Sequence, residues 1–230
     1  MNNDNKKNLI MFMPSIEGGG VEKNFFLISN FLVKKLNKVS LITISKNYKK
    51  KFDNSIKFIS LSSNIWNKFG RGFKYFLAII LLINEILKNK NVIVFSFQAN
   101  VYCILVCKFF GVKIISRSNS AKYSFIKGWF KRKIFGIFFN LADKIVVNSI
   151  QLKKELKKQL NVNSTCIYNP LNTIEIKKKS KIKSKKIFIP NNKLKILNIG
   201  RYTDQKDQIT LFKSINYLKN KINFQAVVIG

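Results

Sequence analysis

Apolar positions along the chain follow two alternating patterns. Short runs rich in β-branched residues, Leu9–Met13, Val39–Ser45, Ile56–Leu61, Val92–Phe97, Val112–Ser116 and Lys144–Asn148, read as strands. Longer segments between most of them have helical spacing. Val21, Phe25, Ile28, Leu32 and Leu36 recur at intervals of 4, 3, 4 and 4, which puts them on one helix face. Segments Trp66–Leu87, Ala99–Phe110, Tyr123–Leu141 and Ile150–Leu160 continue the pattern, the last with Ser149 as its N-cap. Strands apolar on both faces and separated by helices require a parallel sheet covered on both sides. The spacing therefore predicts an α/β, doubly wound, Rossmann-like domain over residues 1–172.

The pattern breaks over residues 173–193, a stretch dominated by Lys, Ser and Asn that reads as a linker or surface excursion with the short apolar run Ile187–Ile189 inside it. It restarts with a strand at Leu194–Ile199, a helical face of Leu211, Ile215, Leu218 and Ile222, and a strand at Phe224–Ile229. Two strands and a helix cannot close a core and leave an unpaired edge. Residues 194–230 are thus expected to begin a second α/β domain that lacks most of its sequence, as a fragment or as a truncated product.

Composition narrows the chemistry. There are 43 Lys and Arg against 10 Asp and Glu, giving a formal charge of +33, and no His at all. Without His there is no Ser-His-Asp or Cys-His catalysis and no imidazole switch. The charge reads either as a solvated lysine surface or as a field for an anionic partner. Only Arg71, Arg117, Arg132 and Arg201 are arginines, and at Arg201 and Arg117, which fall at carboxyl ends of strands, the rarity points to function, because lysine would serve for mere solubility. Cys103, Cys107 and Cys166 form no CxxC, and the first two sit in an apolar run as core thiols, which fits a reducing compartment. The N-terminal residues do not resemble a signal peptide. The most apolar window, Phe76–Ile83, is far short of the roughly 20 residues that span a bilayer, and is expected to be a buried helix.

In open α/β sheets ligands gather at the carboxyl ends of the strands, so the loops there matter most. The first is Pro14-Ser15-Ile16-Glu17-Gly18-Gly19-Gly20-Val21-Glu22-Lys23, a glycine-rich turn into a helix that reads either as a purely structural turn or as a phosphate site at the helix N-terminus. It is neither GxGxxG nor a Walker A loop. The turn Ser116-Arg117-Ser118-Asn119-Ser120 places Arg117 after the fifth strand, either as a surface residue or as a ligand contact. Gly200-Arg201-Tyr202-Thr203-Asp204-Gln205-Lys206 joins a strand-end glycine to two cations that could neutralise a diphosphate.

Taken in order, Gly18-Gly19-Gly20-Val21-Glu22-Lys23, Ile115-Ser116-Arg117-Ser118-Asn119, Tyr168-Asn169-Pro170, and Ile199-Gly200-Arg201 with Lys206 resemble the family 4 glycosyltransferases of the GT-B fold, collinearly over nearly the whole chain. The resemblance implies two Rossmann-like domains facing across a cleft. It implies transfer, with retention of configuration, of a hexose or N-acetylhexosamine from a UDP-sugar to a glycan or lipid-linked acceptor in surface polysaccharide or glycolipid assembly. Arg201 and Lys206 would bind the donor diphosphate and stabilise it as it departs, with Gly200 and Gly20 approaching it closely. Gly19 and Glu22 would shape the acceptor side, and Arg117 and Asn119 would contact acceptor or donor sugar. A His found in many members is absent, and the family's Glu-x7-Glu motif would lie beyond Gly230. No metal or cofactor is expected, since Arg and Lys can take the role Mg²⁺ plays elsewhere and the UDP-sugar is a substrate.

The segment Tyr123–Phe135 interleaves aromatic and basic residues. Trp129, Phe130, Lys131, Arg132 and Lys133 read either as an anionic-membrane contact or, for Trp129, as helix core. The resulting expectation is a cytoplasmic enzyme, peripheral at the inner face of the membrane. An inactive remnant of such an enzyme is one alternative. The other, a basic nucleic-acid-binding module, is motivated by charge alone, without a recognisable motif.

Overall fold

The computed structural model describes residues 8–61, 66, 69–119, 128–182 and 187–230. The chain divides into two compact units, Met1–Asn172 and Thr173–Gly230.

In the first unit, strands β1 (Asn8–Phe12), β2 (Val39–Ile42), β3 (Lys57–Ile59), β4 (Val92–Ser96), β5 (Lys113–Ser118), β6 (Lys144–Val147) and β7 (Thr165–Cys166) form one parallel sheet. Their order is β3-β2-β1-β4-β5-β6-β7. β1 lies in the middle, which explains its unbroken apolar run: both of its faces are core. On one face Leu9, Met11, Val39 and Leu41 pack with Phe25 of helix α1 (Gly20–Leu32). On the other, Ile10, Phe12, Val94 and Ile114 meet Ala78, Leu82 and Ile86 of α2 (Arg71–Lys88) and Cys103, Ile104 and Cys107 of α3 (Asn100–Phe109). A third cluster joins Ile145 and Val147 to Phe139 of α4 (Trp129–Asn140) and to Leu152, Leu156 and Leu160 of α5 (Ile150–Leu160). The Ser149 side chain caps α5 by accepting from the Leu152 N–H at 3.1 Å.

Several elements differ from the sequence reading, each for a local reason. β5 runs two residues beyond Ser116 because its pairing with β6 continues to Ser118, past the end of its pairing with β4. Arg117 is therefore a strand residue. β7 is only two residues long, too short to register as a pattern. α1 stops at Leu32 and leaves Leu36 exposed. The Phe76–Ile83 window is not wholly buried either: α2 buries only its Lys74, Ala78, Leu82 and Ile86 row, and Phe76 is 61 % exposed. Among the described residues no helix is long and apolar enough to cross a membrane. The buried thiols are pushed up by desolvation, Cys107 to about 12.

The second unit contains α6 (Thr173–Ser180), inside the stretch expected to be a linker, followed by β8 (Leu194–Ile199), α7 (Gln208–Leu218) and β9 (Phe224–Ile229). α6 is exposed along its length and carries an i,i+4 pair between Lys179 and Glu175. β8 and β9 pair in parallel as a βαβ unit.

Close packing of α4 on α5 depends on Gly136, where a Cβ would run into the Leu160 carbonyl of α5. Gly136→Ala is accordingly expected to lower stability by about 1–3 kcal/mol, the usual cost of overpacking, despite the better helix propensity of Ala. Chemical denaturation checks it, and a neutral or stabilising result would contradict the tight crossing.

Candidate functional site

Parallel strands deliver their following loops to one end of the sheet, and in the first unit that end is polar. The loop after β1 is pinned from several sides. The Ser15 N–H donates to Gln98 Oε1 at 3.1 Å and the Ile16 N–H donates to Ser45 Oγ at 3.0 Å. Gly18 adopts φ +85°, a conformation that favours glycine. α1 then starts with Gly19 as an N-cap that offers no side-chain acceptor, and the space a Gly20 side chain would fill is open. Glu22 is buried in the first turn, with Oε2 where a Gly19 Cβ would stand.

Sequence reasoning missed the ion pair that holds this loop. Glu17 accepts from Arg71 at the start of α2, with Nε at 3.0 Å and a second contact from Nη2, and also accepts from Ser15 Oγ at 3.1 Å. Arg71 thereby keeps the Glu17 carboxyl below its ordinary value. Nothing in the spacing marks a pair 54 residues apart except the scarcity of arginine.

Arg117 is 1 % exposed. Its guanidinium donates to Asn119 Oδ1 at 3.1 Å through Nε, and to the Ile167 carbonyl at 3.1 Å and Asn169 Oδ1 at 3.0 Å through Nη2. It also lies over the Phe97 ring, 5.9 Å from the centroid. Burial pushes its pKa down. The sequence reading of a residue on the loop after the strand is therefore corrected: Arg117 lies inside β5, with Asn119 just beyond as one of its acceptors. Asn100, Asn148 and Asn169 complete the surroundings. Asn100 Nδ2 donates to the Arg117 carbonyl at 3.0 Å and Asn148 Nδ2 to the Asn119 carbonyl at 3.3 Å.

In the second unit, Gly200 ends β8 and its N–H donates to the Ile229 carbonyl at 2.9 Å. Gln208, buried at the start of α7, donates to the carbonyls of Gly200 at 3.3 Å and Arg201 at 2.9 Å, fixing both ends of the turn that carries Arg201. The Asp207 side chain caps α7 through the Thr210 N–H. Arg201 and Lys206 are both exposed, and neither enters an ion pair among the described residues. Gln208 also escaped sequence reasoning; a glutamine directly after a helix-capping Asp was the available signal.

No family model matches the chain, and no curated protein matches it. Solved structures do. HepE from Anabaena in complex with UDP and glucose matches with a TM-score of 0.59 at 8% identity, covering 97% of this chain and 70% of HepE. UGT2 from Phytolacca americana complexed with UDP-2fluoro-glucose and pterostilbene gives 0.53 at 12% identity, covering 98% and 72%. MurG from Acinetobacter baumannii gives 0.52 at 12% identity, covering 96% and 60%. All three are GT-B glycosyltransferases. The fold is GT-B. Within this GT-B chain, the glycine loop and the Arg117 network occupy the carboxyl end of the seven-stranded sheet, and Gly200, Arg201 and Lys206 that of the β8-β9 pair.

The outer surface of the first unit adds a third feature. α2, α3 and α4 leave large apolar side chains exposed, including Phe73, Phe76 and Ile80, then Tyr102 and Phe109 (83 %), then Trp129 (73 %), Phe130 and Ile137. Trp129 is thus not core. Lys131, Arg132 and Lys133 are exposed beside it, with Lys133 Nζ 5.1 Å from the Trp129 ring centroid. Residues 123–127 of the aromatic-basic segment lie outside the described residues. The only carboxylate on these three helices is Glu85, which is paired with both Lys57 and Lys88. α5 carries Lys153, Lys154, Lys157 and Lys158, more lysines than any of the three, but keeps Leu152, Leu156 and Leu160 buried.

The Glu17–Arg71 pair has a testable pH signature. Because the folded-state pKa of Glu17 is depressed, its contribution is present above the ordinary carboxylate value and is lost as pH falls through the lowered one. Both side chains are about half exposed, so screening limits the effect to under ~1 kcal/mol. Arg71→Ala should lower stability at neutral pH by that amount and have almost no effect in acid, as read by denaturant titrations across the two ranges.

Proposed function

We propose that the chain is part of a retaining, family 4-like glycosyltransferase that transfers a hexose or N-acetylhexosamine from a UDP-sugar to a glycan or lipid-linked acceptor at the cytoplasmic face of the membrane. The observation that carries the donor side is the pair Arg201 and Lys206, two exposed cations without an ion-pair partner among the described residues, on a turn fixed by Gln208 at the carboxyl end of β8. HepE, whose structures hold UDP or UDP-glucose, is consistent with that donor.

In this reading Arg201 and Lys206 hold the diphosphate and gain strength as the glycosidic bond breaks and negative charge accumulates on the leaving group. Gly200 keeps the backbone low enough for the phosphates to approach, and Gln208 prevents the turn from relaxing away. The leaving phosphate itself can accept the acceptor hydroxyl proton, so a chain without histidine loses nothing at that step. On the first unit, Gly19 and Glu22 form the acceptor side, and Gly20, in the uncapped first turn of α1 with its backbone N–H donors, approaches the diphosphate.

The membrane part of the reading rests on α2, α3 and α4. Their apolar exposure cannot be charged to composition, because α5 in the same sheet layer, with the same lysine bias, hides its leucines. Helices of a parallel sheet begin at the carboxyl end of the strands they follow, so Phe73, Tyr102, Trp129 and Phe130, all in first turns, lie toward the end that bears the glycine loop. Aromatic residues at the headgroup boundary with lysines around them suit an anionic bilayer.

Two experiments test these statements. Calorimetric titration with UDP-glucose should show binding that weakens by roughly 10- to 100-fold in Arg201→Ala and in Lys206→Ala, the range for losing a hydrogen bond to a charged group. Absent affinity, or affinity indifferent to both substitutions, would remove the donor assignment. Vesicles containing phosphatidylglycerol, but not pure phosphatidylcholine, should sediment the protein and shift Trp129 fluorescence to the blue. The double variant Trp129→Ser, Phe130→Ser should stay in solution, and equal sedimentation of variant and parent would refute the lipid contact.

A further inference from the structure

Arg117 presents a physical problem that the donor and acceptor assignments do not solve. A guanidinium cannot shed its proton, yet this one is almost completely buried and has no carboxylate partner among the described ion pairs. Burying a cation on neutral acceptors alone is costly, and persists only where geometry requires it. The three acceptors show what that geometry is. Asn119 lies just after β5, while Ile167 and Asn169, 50 and 52 residues from Arg117, follow β7. β7 is two residues long, held to β6 only at Val146 and Val147, with one more backbone bond from the Ile167 N–H to the Val147 carbonyl. Such a stub cannot by itself fix the direction in which the chain continues. Three residues after Asn169 the first unit ends.

The geometry points to Arg117 as a positioning residue that locks the exit of the polypeptide from the seven-stranded unit, holding Ile167 and Asn169 against the carboxyl end of β5. A planar fork is needed because acceptors from two separate segments are met at once, through Nε on one side and Nη2 on the other. Lysine, a point donor on a flexible stem, cannot reproduce this. Phe97 beneath the guanidinium supplies a ring face where a carboxylate would otherwise be needed. The surrounding amides are aligned by the same centre: Asn100 on the Arg117 carbonyl, held in turn by Ser96 Oγ at 3.0 Å, and Asn148 on the Asn119 carbonyl. This role requires neither donor nor acceptor and stands or falls separately from the transferase reading.

Amide hydrogen exchange on the 230-residue chain tests it. In Arg117→Met, exchange at residues 167–172 should accelerate about tenfold or more while β1 and β4 keep their protection, and Arg117→Lys should fail to restore it. Asn169→Ala, which removes one exposed acceptor and spares the core, should act in the same direction. Leu156→Ala supplies the comparison, since it destabilises the same unit without touching the exit. With four arginines in the chain, the Nε–H signals are few enough to assign, and that of Arg117 should exchange slowly and move in Asn119→Ala. The inference is overturned if exchange at residues 167–172 is unaltered in Asn169→Ala, if it rises no more in Arg117→Met than in Leu156→Ala at equal loss of stability, or if the Arg117 Nε–H exchanges as fast as those of Arg71 and Arg201.

Discussion

Burial of β1 on both faces is the constraint on which the rest of the structure depends. Leu9 and Met11 face α1, Ile10 and Phe12 face α2 and α3, and a polar side chain at any of these four positions would break one core or the other. A strand so enclosed cannot be followed by a hairpin, because neighbours on both sides are parallel and each return must cross a face as a helix or an extended connection. Every loop that leaves a strand therefore emerges at the same end. The glycine turn after β1, Asn100 after β4, Asn119 after β5 and Asn148 after β6 come together because of this topology, and their chemistry is assembled by it.

That gathering creates the need for Arg117. Several loops, each with unpaired backbone groups, converge where the sheet stops, and the last strand is too short to orient the chain that leaves it. Asparagine side chains, which donate and accept from one small group, pair with those carbonyls, and one arginine spans two of the segments. The Glu17–Arg71 pair does comparable work at the other side of the sheet end, tying the β1–α1 turn to the start of α2. Both features fix loops at the carboxyl end of the sheet.

Much of the architecture was legible in the residues because it rests on periodicity. The runs at Leu9, Val39 and Val92 and the helical spacing from Ile150 to Leu160 specify their elements locally, and the Ser149 cap can be read from one residue and its position. The features that could not be read depend on partners distant in sequence. The two extra residues of β5 exist because β6 pairs with them, β7 exists because Val146 and Val147 offer an edge, and Arg117 is buried because Ile167 and Asn169 cover it. The exposed row of α2 was misjudged for a related reason: Phe76 and Ile80 are apolar enough to be core, and only the sheet decides which row it accepts. At the candidate site the cations Arg201 and Lys206 were visible through rarity and spacing, whereas Gln208 was invisible because a buried glutamine looks like any polar residue until its carbonyl partners are in place.

Apart from Arg117, whose pKa burial lowers, seven of the perturbed side chains share one further property. Arg71 and the Ser55 N–H hold the carboxyls of Glu17 and Asp53 down; burial works to raise Glu85 and Asp143 but is outweighed by their lysine partners and, for Asp143, by the Ile114 N–H. Tyr75, Cys103 and Cys107 are pushed the other way, chiefly by desolvation. Each of these shifts carries its group away from neutrality, in a sequence that has no imidazole to fill the gap. Hydrogen bonds, lysine pairing and desolvation thus act together on these seven groups in the direction that preserves the charge state each has at neutral pH, and the excess of 43 Lys and Arg over 10 Asp and Glu makes attraction to the surface a matter of counter-ion concentration.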